Sequence, residues 1–519
     1  LIGLYAVLYL LASNINQMSP TAALRVGGMV LAGSLLLYTI LWLVLRDTGK
    51  AALLASFWLV LLFTYGHVYE LVEGKAWLGF TYGKHRYLII AWLVVFLAGS
   101  WWLLRKLRAT LPLNRILNIV SVALLVLPTL QIGLFAYQSQ RAGAGSGAAV
   151  GCAQGTAAGC AVTTGDGAVT PDIYYIILDG YSRADVLKKL YGLDISPFMD
   201  EMRAMGFVFP ECAQSNYAIT PFSMFASLNM DYVQGYPDIF YQGSSLDQVQ
   251  TVGISRYIRS SQVRQFLEER GYQTIAFETD YWWLNLTDAD LYIVGNDNPL
   301  VKYSKSYEIS NFEEMFIRTT ALRVLSETNQ RFSKQLTKQI RTPNERRYEV
   351  TRFAFEEVEK IPGIPGKKFV YFHLAAPHAP FVFDQDGNFV DYDSSSGNDP
   401  AYPNEIVYLN KRVTALARSL IEKSATPPII IIQADHGWDP RYRLQILNAY
   451  YLPGGGDKML YSEITPVNTF RLVFDYYFGA QYGLQEDASY FSLGENWPQY
   501  GIKARPYQLT PVPGSCMGK

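Results

Sequence analysis

Twenty consecutive residues without a charge, VGGMVLAGSLLLYTILWLVL at positions 26–45, set the first limit on this chain. A helix rises about 1.5 Å per residue, so such a run matches the roughly 30 Å hydrocarbon core of a bilayer. Residues 51–68, 87–104 and 116–137 repeat the pattern. Residues 1–12 form a shorter apolar run that opens on Leu, and this reads as the remnant of a first span. The expected total is about five transmembrane helices. A buried core helix explains any one of these runs, but four or five in succession leave that reading little room.

Charge divides the chain at the same place. Residues 1–137 carry ten Lys/Arg against three Asp/Glu, a net +7, and the remainder carries 34 against 42, a net −8. The basic excess lies between apolar spans and not on a soluble surface, which argues against nucleic acid as a partner. Residues 105–115, RKLRATLPLNR, hold four basic residues and no acid. Such a loop stays in the cytoplasm, so the span after it delivers everything beyond Tyr137 to the outer side. Residues 138–171 are rich in Gly and Ala, cannot build a core, and read as a tether. The expected organisation is a transmembrane domain over 1–137, a linker over 138–171 and a folded domain over 172–519. Of the four cysteines, Cys152 and Cys160 fall in the tether, where a disulfide and two free thiols are both open.

From Asp172 onward, short apolar runs alternate with amphipathic ones. Strands are expected at 173–178, 273–277, 368–374 and 429–432, and helices at 183–190, 196–205, 261–270, 408–423 and 465–478. Residues 312–359 are mostly helical and charged, and read as a surface insertion. Strands alternating with helices predict an α/β layer sandwich with a mainly parallel sheet. In such sheets chemistry gathers just beyond the carboxyl ends of the strands. Asp179 follows YYIIL, His378 follows FVYFHLAAP, and Asp435-His436 follow the IIII run that begins after Pro427-Pro428. Thr220-Pro221 opens a helix-like run within SNYAITPFSMFASLNMDY. A hydroxyl there faces unpaired backbone N–H groups suited to an anion, and it equally reads as an ordinary helix cap.

Together these motifs resemble the alkaline phosphatase superfamily in its sulfatase-like branch, most of all the membrane-anchored lipoteichoic acid synthases and lipid A phosphoethanolamine transferases. The resemblance covers Asp172 to about Phe478 and rests on the late Asp-His-Gly and on Pro-His-Ala-Pro-Phe at 377–381. It implies an alkaline phosphatase-like extracytoplasmic domain on a multi-pass anchor in a bacterial cytoplasmic membrane. It also implies that Asp179, Thr220, Asp435 and His436 hold a metal, with Thr220 as nucleophile. His378 would bind substrate or assist the leaving group, with His373 as a second contributor. The chain departs from true sulfatases, because Cys212 begins CAQSN and lacks the C/S-x-P-x-R pattern that matures to formylglycine. Only His373, His378 and His436 lie beyond the apolar part. That scarcity favours one divalent ion, Mn, Mg or Ca, over a zinc pair. Arg441 and Arg443 read either as a phosphate clamp or as solvated surface charges. The implied function is transfer of a phospho-linked group from a membrane lipid donor to an envelope glycan or lipid acceptor. The alternatives are a phosphate or sulfate ester hydrolase and a catalytically inactive membrane scaffold of the same fold.

Overall fold

The computed structural model describes the chain except for residues 16–20, 22, 73–74, 78–79, 82–83, 108–109, 145–170, 237–238, 240–250, 296–306, 309, 325–339, 392–400, 492–508 and 518–519. It forms two units, one of Leu1–Gln140 with Lys305–Pro343 and the other of Arg141–Ser304 with Asn344–Lys519.

In the first unit the apolar runs become five helices: α1 Ile2–Ser13, α2 Ala23–Leu45, α3 Thr48–Val72, α4 His85–Arg105 and α5 Thr110–Ala144. Four of them, α2 to α5, are long and apolar enough to cross a membrane, while α1 has 12 residues. Their apolar side chains point outward: Leu24, Val44 and Ile119 are 72%, 73% and 70% exposed. Such surfaces suit a lipid solvent, which is as apolar as leucine. Helix α5 continues past Tyr137 to Ala144. Most of the expected tether, including Cys152 and Cys160, lies outside the described residues.

The segment read as a surface insertion is divided between the two units. Its first part belongs to the helical unit, where the chain is pinched by parallel pairing of Tyr307 with Ile340 and Glu308 with Arg341. The helix Asn311–Thr319 starts from a reciprocal cap between Ser310 and Glu313. Phe312 and Phe316 are buried, the latter ring 5.6 Å from that of Phe63 on α3. Glu313 pairs with Arg25 at the start of α2, and Arg323 pairs with Glu70 near the end of α3. The backbone approach is close: the Ala321 N–H donates to the Leu62 carbonyl at 2.8 Å, and a Cβ on Gly66 would lie 2.0 Å from the Arg318 carbonyl oxygen. Glycine is the residue that admits this approach. The helical, charged character of residues 312–359 was legible in the sequence, but the surface that receives the aromatic side of the 311–319 helix was not.

The second unit is built on six strands: β1 Ile173–Leu178, β2 Gln273–Phe277, β3 Leu291–Ile293, β4 Lys368–Leu374, β5 Ile429–Gln433 and β6 Asn448–Tyr451. Their order across the sheet is β6-β5-β1-β4-β2-β3, with only β6 antiparallel to its neighbour. The central β1 is buried on both faces, as expected of a strand covered by helices on each side. Tyr174, Ile176 and Leu178 face one core with Leu409 and Leu416 of the helix Ala401–Lys423. Ile173, Tyr175 and Ile177 face the other with Phe222, Phe225 and Phe470. In-register pairing of Leu178 with Leu374, and of Ile177 with Gln433, brings the ends of β1, β4 and β5 to one edge. A Cys212–Cys516 disulfide links two segments 304 residues apart.

Candidate active site

Asp179 leaves the end of β1 and Asp435-His436 leave the end of β5, so register alone places them side by side. The Gly180 N–H donates to Asp435 Oδ1 at 3.1 Å, and the His436 N–H donates to the same oxygen at 2.9 Å. These two bonds fix the carboxylate with Oδ2 turned inward. His436 donates from Nδ1 to the Gly437 carbonyl at 3.0 Å, which leaves the Nε2 lone pair available. That Nε2 is 3.6 Å from Asp179 Oδ1, 3.5 Å from Asp435 Oδ2 and 3.1 Å from the Thr220 hydroxyl.

Thr220 is the first residue of the helix Thr220–Asn229, and it does not cap it. The N-cap position is Ile219, and no side chain caps that end. The cap reading is thereby corrected: the hydroxyl turns to His436 in place of the helix N–H groups.

The two other histidines arrive from β4 and the loop after it. His373 is 2% exposed, its Nε2 3.6 Å from Asp179 Oδ2. His378 donates from Nδ1 to the Ala379 carbonyl at 2.9 Å. One ligand atom each from Asp179, His378 and His436 fall within 4.8 Å of one another. The site thus draws His373 and His378 toward Asp179, where the sequence reading placed them with the substrate. Arg443 and Arg441 separate. Arg443 is 6% exposed, donates to the Ala218 and Trp438 carbonyls, and brings Nη2 to 3.2 Å from His436 Nε2. It is not a solvated surface charge. Arg441 is 47% exposed and engages both oxygens of Asp439.

Electrostatics follow from burial and crowding. Burial works against charge on Asp179, but the neighbouring His378 and His373 outweigh it and hold the carboxyl well below the usual range. Burial, then the Asp179 charge, pushes Asp435 up to about 7. Burial and the neighbouring Arg443 hold His436 well below its ordinary value, so the imidazole is neutral. Asp179 Oδ1 and Oδ2, Asp435 Oδ2 and His373 Nε2 are buried without a hydrogen-bond partner. Orphaned acceptors in so dry a place cost free energy unless a cation completes them. Two carboxylates, a hydroxyl and imidazole nitrogens are the donor set of a divalent metal, and these residues fit one. Among the described residues the other grouping of ligand types is Cys212, Cys516 and Glu463, whose thiols are joined in the disulfide.

Sequence reasoning missed the supports around His378. Arg347, on the helix Pro343–Val358, pairs with Asp280 and donates to the carbonyls of His378 (2.9 Å) and Pro380 (3.1 Å). Tyr281 sits beside them, its hydroxyl pushed well above its ordinary pKa by burial and by Asp179. The strand-end rule that picked out Asp179 applies equally to Asp280 and Tyr281, which follow β2.

Behind this loop, Glu405 is 0% exposed and both its oxygens lack a hydrogen bond. Burial pushes its pKa up to about 8, against partial relief from Arg347. A folded-state pKa above the unfolded value favours folding fully below the unfolded pKa and loses that contribution as pH rises through the folded one. Wild-type stability is therefore expected to fall between about pH 4.5 and 8 relative to Glu405→Gln, by a few kcal/mol at most. Thermal melts of both proteins at pH 5 and pH 8.5 check this, and a difference in melting temperature that is the same at both pH values would refute it.

Comparison with known proteins follows this geometry. No curated protein matches the chain. Among solved structures, it is similar to the C-terminal periplasmic domain of phosphoethanolamine transferase EptC from Campylobacter jejuni, at 11% identity and TM-score 0.34, over 60% of this chain and 90% of that one. It is also similar to the lipoteichoic acid synthase LtaP from Listeria monocytogenes, at 13% identity and TM-score 0.39, over 62% and 77%. A protein in the alkaline phosphatase superfamily from Vibrio parahaemolyticus matches at 12% identity and TM-score 0.37, over 63% and 74%. Likeness this distant leaves residue roles to the geometry of this chain. The family model described as Sulfatase matches residues 171–472, which is more than half the chain and contains every residue of the site. The chain therefore belongs to the sulfatase family, an enzyme family of the alkaline phosphatase superfamily, here carried behind four to five apolar helices.

Proposed function

We propose that this chain is a membrane-anchored, metal-dependent phosphotransferase that moves a phospho-linked group from a lipid donor to an envelope glycan or lipid through Thr220. The observation that carries the proposal is the Thr220 hydroxyl, 3.1 Å from the neutral His436 and set among carboxylate oxygens that no protein group satisfies.

Asp179, Thr220, Asp435 and His436 would hold one divalent ion, Mn, Mg or Ca in preference to a zinc pair. When bound, that ion lowers the hydroxyl pKa and offsets charge on the phosphoryl oxygens. Thr220 Oγ1 attacks phosphorus in line, forming the Oγ1–P bond as the bond from phosphorus to the lipid alcohol breaks. The hydroxyl proton is relayed to the departing alkoxide, for which His378 is the nearby proton carrier. The acceptor alcohol then attacks the phospho-threonine and restores Thr220. The Arg443 guanidinium lies beside His436, where phosphoryl oxygens would gather, and the N-terminus of the helix Thr220–Asn229 adds its dipole. Trapping the adduct on Thr220 and weighing it tests this scheme, since the added mass identifies the donated group. A substrate turned over by water alone, with no acceptor product, would favour the ester hydrolase. No turnover of any phosphate or sulfate ester by the metal-loaded chain would favour the inactive scaffold.

The catalytic unit is proposed to lie outside the cytoplasm of a bacterium. The end of α4 and the start of α5 lie beside the start of α3, where Lys50 Nζ donates to the Leu104 carbonyl at 3.3 Å and Asn114 Nδ2 to the Gly49 carbonyl at 3.1 Å. The 305–343 segment docks at the opposite end, on Arg25 and on Leu62 through Glu70. This arrangement within the helical unit supports the orientation that the basic loop implies. A reporter active only outside the cytoplasm should give signal when fused after Gln140 and none when fused after Lys106. The reverse pattern would put the lipid and glycan on the wrong side and end the proposal.

A further inference from the structure

Three loops carry the site, and all three meet the C-terminal tail. Arg183 lies four residues after Asp179, Cys212 eight before Thr220, and Gln445 nine after His436. Arg183 is 3% exposed and donates to the Ser515 carbonyl at 2.7 Å, to Ser515 Oγ at 3.3 Å and to the Ala213 carbonyl at 3.1 Å. Its own backbone N–H donates to the Gln445 carbonyl at 3.1 Å. Gln445 Nε2 donates to Ser515 Oγ at 3.2 Å, and the Ser515 N–H donates to Gln214 Oε1 at 2.9 Å. The Met517 N–H donates to the Glu211 carbonyl at 3.0 Å, and between these contacts Cys516 is bonded to Cys212. The loops also pair with one another, Ser215 N–H to the Leu444 carbonyl at 2.8 Å, so the tail is not their sole connection. What the tail adds is a single hub, Ser515, that touches the Asp179 loop, the Thr220 segment and the His436 loop at once.

We propose that residues 513–517, latched by Cys212–Cys516, are a positioning element that sets the mutual spacing of Asp179, Thr220 and His436, so that metal affinity depends on the latch. The inference rests on the metal-site reading above. A metal site is sensitive to displacements of its ligands that hardly change the stability of the loops bearing them, and supports of this kind are worth about ten- to a hundredfold in affinity. Ser515 bonds to Arg183, Gln214 and Gln445, and the effect of the tail on the ligands passes through them.

The test is Mn²⁺ titration of the full-length chain in detergent after stripping with chelator, with free Mn²⁺ followed by its paramagnetic resonance. Wild type is expected to bind one ion, and Cys516→Ala to bind it about tenfold more weakly or worse. Metal-free Cys516→Ala should still melt cooperatively. Unchanged affinity with a lowered melting temperature would make the disulfide a plain staple and overturn the proposal. If Cys516→Ala does not fold, Ser515→Ala keeps the disulfide and removes the oxygen shared by Arg183 and Gln445. A measurable loss of affinity in that variant supports the proposal, and none overturns it. A wild-type chain that takes up no Mn²⁺ overturns the metal-site reading first, an outcome distinct from wild type and variant binding equally.

Discussion

Thr220→Ala is expected to lower turnover by about three orders of magnitude or more while the protein stays folded. The expectation of unimpaired folding comes from the helix end. A cap lost to alanine costs typically about 1 kcal/mol, but Ile219 occupies the cap position and no side chain bonds there. The hydroxyl serves His436 instead, so its removal acts on chemistry and on one metal donor. Thr220→Ser keeps the hydroxyl and should retain part of the activity. No covalent adduct should form on the alanine protein. If Thr220→Ala turns over donor at near wild-type rate, the nucleophile assignment is wrong and water attacks directly.

Asp179→Asn should abolish metal uptake and activity together. Asp179 is fully buried, and both its oxygens face imidazole nitrogens without a hydrogen bond, His436 Nε2 and His373 Nε2 each at 3.6 Å. The asparagine amide can donate to one of those nitrogens, so the variant should fold without a cation. Its metal-free form should melt at or below the temperature of wild type, because the histidines that hold the Asp179 carboxyl ionised lose that attraction. Mn²⁺ at a hundred times its dissociation constant stabilises a single-site protein by about 2.7 kcal/mol, a shift wild type should show and the variant should not. Melts with and without Mn²⁺, together with elemental analysis, decide the matter. An equal Mn²⁺ shift in both proteins would remove Asp179 from the ligand set.

Whatever depends on local pattern was legible before any coordinates. Uncharged runs of membrane length gave the long helices, since length and hydropathy suffice for a span. The Ile429–Gln433 strand and the YYIIL run gave the parallel core, and with it the rule that Asp179, His378 and Asp435-His436 stand at one edge. Other features answer to surfaces far apart in sequence. Cys212 pairs with Cys516 across 304 residues, and no spacing rule reaches that far. The 311–319 helix finds its partner in α2 and α3, through a close approach that Gly66 permits. Arg441 and Arg443 share a residue type and a neighbourhood, yet one is spent on Asp439 and the other is buried against His436. The sequence by itself determined which side chains lie at the carboxyl ends of the strands, because alternation and apolar runs are local. Only the tertiary structure decided which of them converge, because convergence is set by sheet register and by loops that meet after the chain has crossed the core.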